Sequence, residues 1–290
     1  MTRREGLEYF ARPGPYTALP AADFAALPEA LAELCSVVQG SVLHPFMPAL
    51  YGLTPDKLPL GDLQERSASA IVARVRGRDP RPFGAPRPPD RRFCGNCRHH
   101  TVLLAALLRA KGVPVRARCG FAAYFQPGWF VDHWVAEVWT GGAWRLVDAQ
   151  LDRAQRAAFR IGFDPLDVPR DAFLVAGEAW RRIREGSADP ARFGVLDMFG
   201  SWFAAGNVVR DVAALAKQEL LPWDVWGAMR RTDAELDDAS LARLDRGAAL
   251  AREPDAHLAE LLELAGSPAF RVPERVFNAQ TNREEAPLPR

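Results

Sequence analysis

Lysine is almost missing: the 290 residues hold only Lys57, Lys111 and Lys217. Arginine carries nearly all the positive charge, which with the many alanines reflects GC-rich codons rather than function. No charge sign is in excess, since 37 basic side chains face 36 acidic ones for a net charge of +1. That balance gives no electrostatic footprint for nucleic acid or an anionic membrane, so neither is expected as a partner. No apolar run approaches the roughly 20 residues needed to cross a bilayer. Residues 1–10 lack the apolar stretch of a signal peptide, and the expectation is a soluble, cytoplasmic protein. Cysteine is scarce, with Cys35, Cys94, Cys97 and Cys119 alone. In a reducing compartment these are thiols, each to be read as packing, metal ligand, redox group or nucleophile. Internal repeats and long low-complexity segments are absent as well.

What is present begins with apolar content. At 48% it supports a sizeable core, in one large domain or two ordinary ones. Helical spacing of Phe24, Leu27, Leu31, Leu34 and Val38 predicts a helix over 21–39. A second is predicted over 61–77, then a Pro- and Arg-rich loop from Arg78 to Arg92 of the kind that often borders a functional site. Residues 97–111 give the strongest helix, apolar nearly all round and therefore central, with Gly112 as its stop and Pro114 beyond. Alternation predicts strands over 115–125, 133–139 and 144–150, the last two joined through Gly141-Gly142 as a hairpin. Beyond about residue 170 the pattern reads as helical, clearest over 173–180, 207–221 and 241–264, with a loose polar tail from Asn278 to Arg290.

A thiol is a strong nucleophile only as thiolate, and a helix N-terminus and a nearby imidazole both favour that form. Cys97 follows Gly95-Asn96, where Asn96 is a candidate helix cap, so its thiol is expected at the positive end of the helix dipole. A turn centred on Gly141-Gly142 pairs Trp139 with Trp144 and Glu137 with Leu146. Val135 then faces Asp148, and His133 faces Gln150. His133 and Asp148 become diagonal neighbours on one face, within reach of long side chains. A carboxylate there can hold one ring nitrogen and leave the other for a thiol.

The segment from Cys97 to Arg116, with Asp132-His133-Trp134 and Trp144-Arg145-Leu146-Val147-Asp148, strongly resembles the transglutaminase-like superfamily. The resemblance covers about residues 61–152, and the helical remainder is similar to an uncharacterised bacterial branch of that group. It implies an α+β, papain-like core: a buried nucleophile helix on a small antiparallel sheet, with added N- and C-terminal helices. It implies Cys97 as nucleophile, His133 as base and Asp148 as the residue orienting the ring. The chemistry implied is hydrolysis of a small-molecule or peptide amide or ester, or acyl transfer to an amine, through a thioester. No metal or organic cofactor is expected. The expected division is a catalytic core with its N-terminal helices over 1–165 and a helical region packed on it over 166–290. The sequence departs from the family's pattern after Asp148, where Ala149-Gln150 replaces the usual proline and threonine. It also has no tryptophan before Cys97 to serve the oxyanion, leaving the Cys97 N–H, Gln64 or Gln39 as candidate donors.

Other readings compete. Cys94 and Cys97 with His99 and His100 invite a zinc or redox site, but there is no second Cys-x-x-Cys and no strand pattern directly before the motif. Asp132 is a rival partner for His133. Arg98, Arg116 and Arg118 are equally read as binders of an acidic substrate group or as ordinary strand arginines. The whole fold can also serve as a non-catalytic binding module, though no core requirement forces cysteine, histidine and aspartate together.

Overall fold

The computed structural model describes residues 1–20, 24 and 26–288. In chain order its elements are α1 (Arg3–Ala11), α2 (Leu31–Ser41), β1 (Val42–Leu43), α3 (Ala68–Arg78), β2 (Phe93–Cys94), α4 (Cys97–Ala110) and β3 (Val115–Ala122). There follow β4 (Phe130–Thr140), β5 (Ala143–Val147), α5 (Arg153–Ala158), β6 (Phe173–Val175), α6 (Ala176–Arg184), β7 (Phe193–Val195), β8 (Met198–Phe199) and α7 (Ser201–Leu215). The chain ends through β9 (Asp224–Val225), α8 (Asp238–Arg252), α9 (Pro254–Ala265), β10 (Val276–Asn278) and β11 (Arg283–Glu285). The class is α+β. Among the described residues no helix is long and apolar enough to cross a membrane.

The chain divides into two compact units, and neither is a single stretch. The first unit is Leu7–Arg116 with Val135–Val168, and the second is Met1–Gly6, Ala117–Trp134 and Pro169–Arg290. In the first unit α2 and α3 pack on α4. The apolar faces of all three helices meet Val115, Ala136, Val138 and Val147 in one core. Every residue of α4 from Cys97 to Arg109 is buried, so the all-round apolar pattern does mark a central helix. The β4–β5 hairpin turns on Gly141 and Gly142, with φ of 61° and 83°. Two consecutive positive φ values make the tight turn whose twist matches the strands, and glycine adopts them without a Cβ penalty. The register is the one the turn dictates, with Trp139 opposite Trp144 and Glu137 opposite Leu146. In the second unit α6, α7, α8 and α9 pack together. There β3 pairs with β6, and β4 runs parallel to β7.

Several sequence expectations need correction. The helix predicted over 21–39 begins only at Leu31. Pro28 drives the residue before it out of the helical region, and residues 21–23 and 25 lie outside the described residues. The helix predicted over 61–77 is a short 3-10 turn, Leu60–Gln64, followed by α3. Ser67 restarts the chain by capping, its hydroxyl accepting from the Ala70 N–H at 3.2 Å. Residues 173–175 form β6 rather than helix, because their backbone completes the edge of β3. The helix predicted over 207–221 is α7, which ends at Leu215. In the stretch 241–264 Pro254 punctuates the helical pattern as its sequence implies, dividing α8 from α9. The region beyond 170 is not wholly helical, since β6 to β11 lie there. The supposed loose tail contains β11, paired with β10.

Candidate active site

Cys97 is placed by the strand that precedes it. The β2 strand pairs in parallel with β1, Leu43 opposite Cys94, and the Gly95 N–H continues the ladder to the Leu43 carbonyl at 3.0 Å. A Cβ at Gly95 would sit 2.8 Å from His99 Cβ and 2.9 Å from Phe93 and Val42, so only glycine lets the chain turn here. Asn96 then caps α4. Its side-chain oxygen accepts from the His99 N–H at 3.4 Å, and its own N–H donates to His99 Nδ1 at 3.1 Å. His99 therefore does in this capping box what a glutamate or glutamine usually does. The other ring nitrogen, Nε2, lies 3.0 Å from the Glu65 carbonyl. Nδ1 also lies 2.7 Å from the Asn96 side-chain oxygen, so both ring nitrogens face an acceptor. Burial first, then the neighbouring Arg98 charge, holds the His99 pKa well below its ordinary value.

With the cap in place, Cys97 is the first residue of a long buried helix and is 6% exposed. The unsatisfied N–H groups of that first turn give its thiol a positive local field. The other thiols have no comparable place. Burial pushes Cys35 and Cys94 each up to about 12, with Asp148 acting in the same direction on Cys35 and Asp62 on Cys94. Cys119 lies within β3 and is fully buried.

Asp148 stands one residue past β5 in the first unit. The ladder stops at Ala136 opposite Val147, and the Asp148 N–H turns away to the Pro165 carbonyl at 2.8 Å. One carboxylate oxygen accepts from the Gln150 N–H at 3.0 Å, a local turn that fixes the side chain from within its own strand end. Asp148 is buried.

His133 lies on β4 within the second unit, also buried. Three aromatic rings meet it edge to face: Phe125 at 4.9 Å, Tyr124 at 5.9 Å and Phe173 at 6.2 Å between centroids. The neighbouring Asp132 points to the opposite face of the strand, as successive residues must. There it accepts from Asn207 Nδ2 at 2.8 Å, and burial raises its pKa against the opposing pull of Arg210.

The three arginines are internal. Arg98 donates to the Arg66 carbonyl at 2.5 Å. Arg116 lies 3.7 Å over the Trp144 ring and 3.4 Å from Glu137. Arg118 grips Asp211 through two nitrogens and also reaches the Ala251 carbonyl at 2.7 Å. His100 donates from Nδ1 toward the Asn96 carbonyl at 2.9 Å. Gln64 is half-buried at the end of its 3-10 turn, while Gln39 lines a groove on α2. Among the described residues no group of three or more His, Cys, Asp or Glu is arranged to hold a metal ion. Sequence reasoning missed the roles of His99 and Gly95 and the aromatic surround of His133. The signal for the first was an asparagine followed three residues later by a side chain able to reach back.

Comparison with known proteins bears on this arrangement. No curated protein matches the chain. A solved structure from Cytophaga hutchinsonii, described as that of a "Putative Cysteine Protease", is 18% identical with a TM-score of 0.34. The match covers 60% of this chain and 51% of that one, so this chain spans about half the length of that relative. The family model that matches is described as the Transglutaminase-like superfamily, over residues 66–149. That match supports cysteine-based catalysis in general. Residues 66–149, with Cys97 at the head of their buried helix, are the part of the chain that is similar to that superfamily.

Proposed function

We propose that the protein is a cysteine hydrolase or acyltransferase acting on a small-molecule or peptide amide or ester. Cys97 serves as nucleophile, His133 as base and Asp148 as the residue orienting the imidazole. The observation that carries this reading is the position of Cys97 at the capped N-terminus of a fully buried helix within the transglutaminase-like segment. The thiolate adds to the carbonyl carbon, and the carbonyl oxygen takes the negative charge. The Cys97 N–H is one donor for that oxygen. Collapse expels the amine or alcohol, which takes the proton held on His133, and leaves a thioester on Cys97. Water, or a second amine, then gives its proton to His133 and attacks the thioester. The product leaves as acid or amide, and the thiolate is restored.

The test is intact-mass detection of an acyl adduct on Cys97 after incubation with a library of peptides, small amides and activated esters. Added primary amine separates the two outcomes: transfer gives a new amide, and hydrolysis gives only the acid. A chain that acylates at no cysteine, or equally well as Cys97→Ala, would leave a binding module as the better reading.

A further inference from the structure

The loop between α3 and β2 is built around arginine in a way the proposed chemistry does not use. Arg87, wholly buried, donates to three carbonyls of its own loop, Phe83 and Ala85 at 2.6 Å and Arg81 at 2.8 Å. That internal wrapping fixes the loop, and its end delivers Arg92. The Arg92 carbonyl accepts from Arg78 at 3.2 Å, and Arg78 is clamped on Asp62 by two bonds of 2.5 and 2.6 Å. Arg92 Nε donates back to the Arg87 carbonyl at 3.0 Å, and its guanidinium lies 5.5 Å from the Tyr51 ring centre. Every one of these contacts lies within the first unit.

The two terminal nitrogens of Arg92 are left without an acceptor among the described residues. They border a groove of about 580 Å³, wide open to solvent and lined also by Gln39, Gly40, Asp152, Arg153, Ala154 and Ala157. That size falls in the range of small-molecule sites, about 300–1,000 Å³. The single carboxylate on its wall is already engaged. One Asp152 oxygen accepts from the Gln155 N–H at 2.9 Å and the other from the Tyr51 hydroxyl at 2.7 Å. The Arg153 guanidinium and the Gln39 amide have no hydrogen-bond partner among the described residues either. Burial lowers the Arg92 pKa against the opposing pull of Tyr51 and Asp152, and among the described residues no carboxylate is in ion-pair contact with it. A half-buried guanidinium, a second one at the rim and an amide thus share a space whose only acid is occupied.

We infer that this groove is a binding site for the carboxylate or phosphate group of a small molecule. Arg92 and Arg153 supply the charge-assisted hydrogen bonds, and Gln39 supplies a neutral donor. Planar guanidinium groups suit both oxyanions, because each can present two oxygens to one fork. The inference rests on these contacts alone and does not depend on the cysteine chemistry.

Isothermal titration of the full chain with inorganic phosphate and, separately, with succinate at fixed ionic strength tests the inference. Saturable binding of at least one is expected, and the preferred anion identifies the group. Arg153 is exposed at the surface, so its replacement leaves the fold intact. Arg153→Glu should weaken binding by about tenfold or more, and Arg153→Gln by less, since the first adds repulsion to the loss of a charged donor. Cys97→Ser should bind as the parent does. No saturable binding of either anion, or binding unchanged in both Arg153 variants, would overturn the site.

Discussion

At the scale of single residues, the difference between the four thiols is one of environment rather than chemistry. Cys35 and Cys94, pushed up to about 12, remain protonated through the physiological range. Cys97 has the helix N-terminus, and in the proposed mechanism an imidazolium as well. Iodoacetamide at neutral pH, mapped by peptide mass, should therefore modify Cys97 before Cys35, Cys94 and Cys119. His133→Ala should slow that modification and lower turnover on the order of 10²–10⁴-fold, the usual cost of a missing general base. Equal rates at all four cysteines would remove the physical case for a nucleophile. The place of Cys97 was readable because Asn96, a candidate cap, directly precedes a helix with a long apolar run. The surround of His133 was not, because its rings come from 124–125 and 173, separated in sequence and carrying no pattern that joins them.

At the scale of elements, α4 depends on its cap. Asn96→Ala removes the oxygen that accepts from His99 and should cost about 1 kcal/mol, read from the urea midpoint. The ring of His99 adds a pH term. Its pKa is held below the ordinary 6.5, so the unfolded chain binds a proton there that the folded chain refuses. Its contribution is complete above about pH 6.5 and is lost as the pH falls toward the folded pKa. Between about pH 7.5 and 5.5 the parent should lose more stability than His99→Gln, and equal losses would contradict this pH term. The hairpin and α4 were legible from turn chemistry and periodicity, which are local. The β6 strand was hidden because three residues are too few to show alternation. It exists through Gly120, Phe121 and Ala122 of β3, which it pairs.

At the scale of the molecule, the second unit is knitted from separated segments around a buried ion pair. Arg118 and Asp211 are both almost fully buried, and Asp211 also accepts from the Cys119 N–H at 2.9 Å. Asp211→Ala leaves a charge and an amide without that acceptor. It should cost about 3–5 kcal/mol in chemical denaturation, typical of breaking a buried pair from one side. Truncation after residue 165 should fail as a compact fragment, because it strands 117–134 without β6, β7 or α7. A cooperative melt of that fragment with protected amides in β3 would count against this account. The interleaving of segments was not legible, since composition and periodicity hold no information on which distant stretches meet.

That interleaving sets a timetable for synthesis. The last piece of the first unit, Val135–Val168, is made before any of Pro169–Arg290 exists. Arg118 waits for Asp211, 93 residues later. At about 5–20 residues per second the interval is on the order of ten seconds. Until then the nascent β3 carries an open edge where β6 will add, the kind of edge that recruits stray strands. The first unit can be complete on the ribosome while the second is still awaiting its partners.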